Sequence, residues 1–479
     1  MTQPAAAAPP EGEAGIPDRR MVLVVLALAG AIGSQAWLAF AYGAMDGAAR
    51  AQWSVAVTLV VLLSAPTATL LAAIWSLRAA LVGWPLAIAF AAAGIMMRAP
   101  YFGAGPMLED DHFRYLLDGA MVAHGLNPYS HAPDQVLAGA SMLPSAALDV
   151  GREMVASINF PGLRSIYPGG AQSLFALAYL AAPWSVDGLR AIIFVAEALT
   201  AVLLVMILRQ SGMPAIFAAL VWCNPLLAFS LTGQAHIDAA LAPPILAALL
   251  LVQRGAGAGV GILLGFAVGV KLWPALLAPL MARALWRSRR ALLSFVVALG
   301  LTTLALCAPL LLASLTPGAG LTAYALGWSN NNAPYAWTSY ALVLLLGEGG
   351  DRLLRAGLAA LSVVFALAIA LRPASTTKNL IIMDLTTMDL TWRAALIAAL
   401  VFYLSPAQFP WYAIWFLPLA AAVGSFPLSA AAAGLPIYYL FFPLAEVGLA
   451  TFYGSWLAFL HLVPVALTAL IVHRSQERK

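Results

Sequence analysis

The chain has 479 residues, of which 63% are apolar and only 9% carry a formal charge, and its net charge is +4. With a mean hydropathy of +0.90, this composition excludes a soluble protein with one large core and predicts an all-α, polytopic membrane protein. Nothing in it supports a nucleic-acid partner, and Cys223 and Cys307 lie far apart in apolar segments, which argues against a disulfide framework or a cysteine metal site.

Residues 1–20 begin "MTQPAAAAPPEGEAGIPD", without apolar periodicity, and are expected to form a disordered cytoplasmic tail. The run from Met21 follows Arg19 and Arg20, is longer than a signal-peptide core and lacks a cleavage site, so it reads as a retained first span. Spans at 21–43, 53–75 and 82–98 make an N-terminal group over 21–98. Residues 99–189 then form a large outer loop with amphipathic juxtamembrane helices. Within it Tyr167–Trp184 is almost long enough to cross. Counting it would put Arg209 and the run Arg283–Arg290 on the wrong side, so a juxtamembrane or re-entrant helix is expected.

Spans at 190–208, 214–231, 238–253, 256–270 and 291–314 form a central group over 190–314, and 315–355 a second outer loop. Spans near 356–371, 393–405, 411–424, 427–443 and 456–472 close the chain as a C-terminal group over 356–479. The total is about 14 helices. Arg78, Arg209, Arg254, Arg283–Arg290, Arg372, Lys378 and the basic tail place both termini in the cytoplasm by the positive-inside rule. The lipid bilayer is expected to be the inner (plasma) membrane, with the acids toward its outer or periplasmic side.

Three consecutive acids, Glu109, Asp110 and Asp111, open the outer loop. In the stretch that follows, Phe113, Leu116, Leu117, Ala120 and Met121 recur at helical spacing, with Asp111, Arg114, Tyr115 and Asp118 on the opposite face. This predicts an amphipathic helix lying on the membrane with its polar face toward water or a cavity, stopped by "GLNPY" with Asn127, Pro128 and Tyr129. Acids at a helix N-terminus also complement its dipole. Beside a bilayer they can bind a cation, receive a proton or act as a base toward a hydroxyl, and the sequence leaves these uses open.

"NPLLAFSLTGQAHIDAAL" carries His236 and Asp238 at a break between apolar runs, on the predicted side of the acids and too sparse for a metal site. Gly261, Gly265 and Gly269 recur every four residues, permitting close helix contact, before Lys271 and Pro274 interrupt the span. An ammonium there either snorkels or meets a phosphate presented from the membrane, a task Arg114 and Arg164 could share. "GWSNNNAPYAWTSY" and "SPAQFPWYAIW" add rings and amides, among them Asn330, Asn331, Gln408 and Trp411. Aromatic faces and amide donors suit a sugar.

In order, "EDDHFRYLLDGAMVAHGLNPYSHAP", "IYPGGAQ", "NPLLAFSLTGQAHID", "VKLWPALLAPL", "WSNNN" and "PAQFPWYAIWFLPL" resemble bacterial membrane glycosyltransferases of the GT-C superfamily, above all the polyprenol-phosphate-mannose-dependent mannosyltransferases. The resemblance covers 100–420 and implies a GT-C-type bundle that transfers a sugar, mannose favoured, from a polyprenyl-phosphate donor to a glycolipid or polysaccharide acceptor, with inversion. It implies Asp111 as base with Asp110 in reserve and Glu109 only a neighbour. Lys271, Arg114 and Arg164 would then take the donor phosphate, and Tyr115, Asn127, Tyr129, His236, Asp238, Asn330, Asn331, Gln408 and Trp411 the sugars. No cofactor is expected, although the acids leave a divalent cation open. Three spans before the acidic loop depart from the single span of many GT-C enzymes. The competing reading is a transporter or flippase for a lipid-linked sugar.

Overall fold

The computed structural model describes residues 18–42, 51–80, 83–105, 108–316, 318–373 and 386–477; the tail at 1–17 and the stretch 374–385, with Lys378, lie outside the described residues. The first eight α-helices are α1 (Asp18–Tyr42), α2 (Trp53–Leu77), α3 (Trp84–Arg98), α4 (Asp111–Ala123), α5 (Pro133–Leu137), α6 (Ser145–Ala156), α7 (Gly169–Ala181) and α8 (Val186–Gln210). The described residues contain no strand, only an isolated parallel bridge between Asn330 and Ala407.

Among the described residues, eight helices are long and apolar enough to cross a membrane: α1, α2, α8, Arg289–Ala313, Gly349–Leu371, Thr387–Leu404, Phe426–Glu446 and Ala450–Glu477. A ninth results if Ala215–Trp222 and Pro225–Gly233, bent by 40°, form one span. The chain is thus an all-α protein with helices suited to a bilayer. The expected count of about 14 differs because several hydrophobic runs are broken by Pro, Gly or a charge. The runs at 82–98, 238–253 and 256–270 fold into helices below 18 residues, and 411–424 divides between a 3-10 segment, Pro410–Trp415, and Leu417–Ala422. At 13 residues, α7 reaches only ~20 Å, short of the ~30 Å hydrocarbon core.

Small residues set the closest contacts. Gly257–Val270 lies against Arg289–Ala313, and a methyl group added at Gly261 would stand 2.5 Å from the Phe295 carbonyl oxygen, at Gly265 2.7 Å from Thr302 Cβ and at Gly269 2.5 Å from Leu306 Cδ1. Where lipid removes the hydrophobic drive for helix association, such close packing holds helices together. Gly261→Ala should therefore lower stability by ~1–3 kcal/mol, read as a drop in thermal midpoint in detergent. Gly300→Ala, on the facing helix with no atom within 4 Å, is the control and should not lower it. Equal midpoints for the two variants would remove the close-packing account.

The same device seats the acidic helix. Gly119 of α4 faces the Phe175 carbonyl of α7, where an added methyl would come within 2.5 Å, and Gly170 of α7 faces the backbone of Gly269 at 2.6 Å. Close backbone packing therefore links α4, through α7, to the helix that ends at Lys271.

Buried charges pin the neighbouring elements. Arg98, at the end of α3, donates to Glu197 of α8 and to the carbonyls of Gly94 and Trp222, and its guanidinium lies 4.4 Å over the Trp222 ring. Thr232 donates to the other Glu197 oxygen. Arg190 of α8 donates to the carbonyls of Thr232 and Gly233 (3.2 and 3.0 Å) and to Asp187 (3.0 Å). The non-helical turn after Gly233 is fixed by these bonds, and that turn carries His236.

Candidate active site

One cavity of about 1130 Å³ takes its walls from most of the segments that sequence reasoning singled out. Its acidic wall is Glu109, Asp110 and Asp111, held where the loop enters α4. The Gln234 side-chain oxygen accepts the backbone N–H of both Leu108 (3.0 Å) and Glu109 (3.1 Å), and the Asn159 amide donates to Asp110. Glu109, expected to be only a neighbour, lines the cavity with the other two.

The opposite chemistry comes from two broken helices. Asn224 caps Pro225–Leu227 by accepting from the backbone N–H of Leu226 and Leu227, after which Ala228–Gly233 forms a π-turn. Ala235 then adopts φ +59°, and the chain re-enters a 3-10 helix at Ile237. Wide turns of this type are frequent at functional sites. They place Asp238 in the wall of the cavity. The second break follows Val270, where Lys271 turns extended (φ −155°, ψ 141°) and Pro274 sits in the first turn of the next helix.

Lys271 neither snorkels nor stands alone. Its Nζ is 2.7 Å from Asp238 Oδ1, 3.8 Å over the Tyr412 ring and 4.9 Å over that of Trp415. The Trp415 indole N–H donates to the same Asp238 oxygen at 2.8 Å. An ammonium has three donors, so one ion pair leaves capacity for a second anion in the cavity. Arg114, Arg164 and Arg355 line the same space. Arg164 also holds Thr316 Oγ1 (2.6 Å), and Arg355 pairs with Asp351 (2.7 Å).

Asp111 is the carboxyl with the most distinctive setting. Although 43% of its side chain is open to the cavity, the recess is deep, and loss of hydration pushes its pKa up to about 7. The neighbouring charges of Asp110 and Asp238 push the same way, while Lys271 and Arg114 oppose them. Behind it stands His236, fully buried, its ring stacked on Trp411 (centroids 3.9 Å apart, planes at 13°). His236 Nδ1 donates to the Ser230 carbonyl at 2.7 Å, so Nε2 faces Asp111 Oδ2 at 3.7 Å.

Of the remaining candidate sugar ligands, Asn330 and Trp411 line the cavity with Asp238. Tyr115, Asn127, Tyr129, His236, Asn331 and Gln408 do not. Tyr115 is buried in α4, stacked on Phe175 at 4.5 Å, and accepts from the Tyr167 hydroxyl. Asn127 is an exposed turn residue accepting the Tyr129 N–H at 2.9 Å, and Tyr129 donates to the Tyr167 carbonyl at 2.7 Å. The asparagine run is a seam between loops. Asn331 donates to the Gln408 carbonyl (2.9 Å) and accepts from Tyr453, Asn332 donates to the Ser405 carbonyl (2.7 Å), and Gln408 donates to the Tyr403 carbonyl.

The polar face expected of α4 is likewise only half open. Asp111 and Arg114 line the cavity, but Asp118 is buried, accepting from Ser165 and from Gln172 (2.8 Å). Burial pushes the Asp118 pKa up to about 6. Sequence reasoning missed Tyr324, Tyr412 and Trp415, although "PWYAIW" places Trp411 and Trp415 one helical turn apart. It also missed Phe160, for which no local pattern gives a signal, while Trp328 stands within "GWSNNNAPYAWTSY" but was not singled out there. Among the described residues, no group of three or more His, Cys, Asp or Glu converges as a metal-holding cluster.

No protein-family model, no curated protein and no solved structure matches the chain. The chemistry of the site therefore rests on its own residues: a carboxyl pushed up toward neutrality, a cation paired with one carboxylate, and stacked aromatic rings around a space of about 1130 Å³.

Proposed function

We propose that the protein is an integral membrane glycosyltransferase of the GT-C type. It transfers a sugar, mannose favoured, from a polyprenyl-phosphate donor to a glycolipid or polysaccharide hydroxyl at the outer face of the plasma membrane. The observation that carries this reading is the juxtaposition, in one cavity, of Asp111 with a pKa near 7 and the Lys271–Asp238 pair over Tyr412 and Trp415. In the reaction Asp111 takes the proton of the acceptor hydroxyl. The oxygen attacks the anomeric carbon, the bond to phosphate breaks, and polyprenyl phosphate leaves as a monoester from the opposite face, giving inversion. Lys271, with Arg114 and Arg164, offsets the charge that develops on the leaving phosphate. The apolar part of the lining, including Leu358, Val363, Leu404 and Phe441, suits the first isoprene units.

The test is reconstitution of the full chain in vesicles with a radiolabelled polyprenyl-phosphate mannose and a glycolipid extract as acceptor. A new glycosidic bond supports the enzyme. Label that crosses the bilayer with no new bond would establish the transporter reading instead.

The pH profile follows from the acid. A base must be ionised, so kcat/KM should rise with pH through an inflection near 7 and level off above it. Asp110→Asn removes a like charge, so the inflection should move to lower pH. An unmoved inflection in that variant would discard the like-charge account. Stability runs the other way: because burial holds the folded pKa above the ordinary carboxyl value of 3.8, this group's contribution is fully present below 3.8 and lost as pH rises through 7.

A further inference from the structure

Phe160 and Trp328 connect the two walls of the cavity, their ring centroids 4.6 Å apart with planes at 59°. On one side Phe160 follows Asn159, which donates to Asp110, and the Phe160 carbonyl accepts from Arg114 at 3.5 Å. On the other, Trp328 lies 5.6 Å from Tyr324, whose hydroxyl meets that of Tyr412 at 2.7 Å, and Tyr412 is the ring beneath Lys271. The pair is therefore linked both to the acids and to the cation.

Its backbone is unusual. Phe160 has φ +54°, in the left-handed region that a bulky side chain rarely adopts. Such strain persists where surrounding structure enforces it, and an aromatic residue ordinarily gains burial in exchange. Phe160 does not, since 57% of it remains exposed. A strained, uncovered ring, held at a fixed angle to a second ring and flanked by amide, carboxylate and guanidinium groups, is built to receive something with an apolar face and a hydroxylated edge.

We propose that Phe160 and Trp328 form a stacking platform for a pyranose ring of the acceptor glycan, with Asn159 at its edge for the hydroxyls. That the sugar is the acceptor's, rather than the donor's, rests on the glycosyl-transfer reading. The acid wall, to which Phe160 belongs, is where the acceptor hydroxyl must lie, whereas Lys271 and the apolar lining belong with the donor phosphate and its lipid.

The test uses the full chain in nanodiscs and soluble oligosaccharides of mannose, glucose and galactose as probes, with binding followed by titration calorimetry. At least one probe should bind wild type and Asp111→Asn alike. Phe160→Gly should weaken that binding about five- to ten-fold, while its thermal midpoint stays level or rises, because glycine relieves the backbone. Phe160→Tyr should bind as wild type does. Failure of every probe to bind wild type, or equal affinity in Phe160→Gly, overturns the platform. Two results separate this proposal from the reading it rests on. Sugar binding that depends on Phe160 without any transfer keeps the platform and removes the enzyme. Transfer whose acceptor KM is unchanged in Phe160→Gly keeps the enzyme and removes the platform.

Discussion

Asp111→Asn is expected to lower sugar transfer by about 10²- to 10⁴-fold, the range a positioned general base contributes, while the protein stays folded. The amide has the same shape as the carboxyl and can still face His236 Nε2, so cavity geometry is preserved. The charge that is lost is not one the fold depends on: with its pKa pushed up to about 7, the ionised Asp111 weakens the folded state above that pH. The thermal midpoint at pH 8 should therefore stay level or rise slightly as activity falls. Donor affinity should change little, because the acid acts on the acceptor. Full activity in this variant would transfer the role of base to Asp110 or Glu109, which share the same wall.

Asp238→Leu is expected to be among the most destabilising single changes in the site, and Lys271→Met in the same chain should reverse most of the loss. Asp238 is buried, with only 3% of its side chain exposed, and Lys271 is 24% exposed toward the cavity. Removing one partner of a buried pair costs about 3–5 kcal/mol, and the opening of Lys271 to the cavity places this case at the lower end. Replacing both by apolar groups removes two desolvated charges together, which is often neutral. Melting of the two single variants and the double variant measures the coupling. The double variant then separates fold from function. It should fold, yet bind a polyprenyl-phosphate donor at least about ten-fold more weakly, the loss expected when a charge-assisted contact to phosphate is removed. Undiminished donor binding in the double variant would leave Lys271 a purely structural cation.

The features legible in the sequence are those with a periodic or compositional cause. Long apolar runs gave α1, α2 and α8, the glycine spacing of Gly261, Gly265 and Gly269 gave a close helix contact, and Lys271 with Pro274 gave a break. The acids entering α4 announced themselves by rarity alone. Partners brought together by tertiary structure left no such mark. Asp238 and Trp415 are 177 residues apart, and nothing local says that Lys271 will be met by them. The asparagine run looked like a sugar-binding edge because amides suit sugars. Asn331 and Asn332 instead donate their amides to backbone carbonyls, while Asn330 lines the cavity, and only the fold decides between the two uses. Tyr115 and Asp118 were placed on an open face by helical periodicity, but a second helix, α7, and the loop carrying Ser165 cover that face. Phe160 was invisible for another reason: positive φ in a bulky residue is a product of the surrounding structure and has no signature in composition.

The pair formed by Arg98 and Glu197 bears on how the chain is made. The two residues stand 99 positions apart, and at ~5–20 residues per second a ribosome needs roughly 5–20 s to span them. During that interval α3, only 15 residues long, ends on a guanidinium that has yet to meet its carboxylate. Of the first three helices, α3 alone thus waits on α8, while α1 and α2 are long and apolar enough to cross by themselves. Biogenesis of this protein should proceed by delayed, pairwise release from the translocon, with α3 kept at the protein channel until its counter-charge arrives.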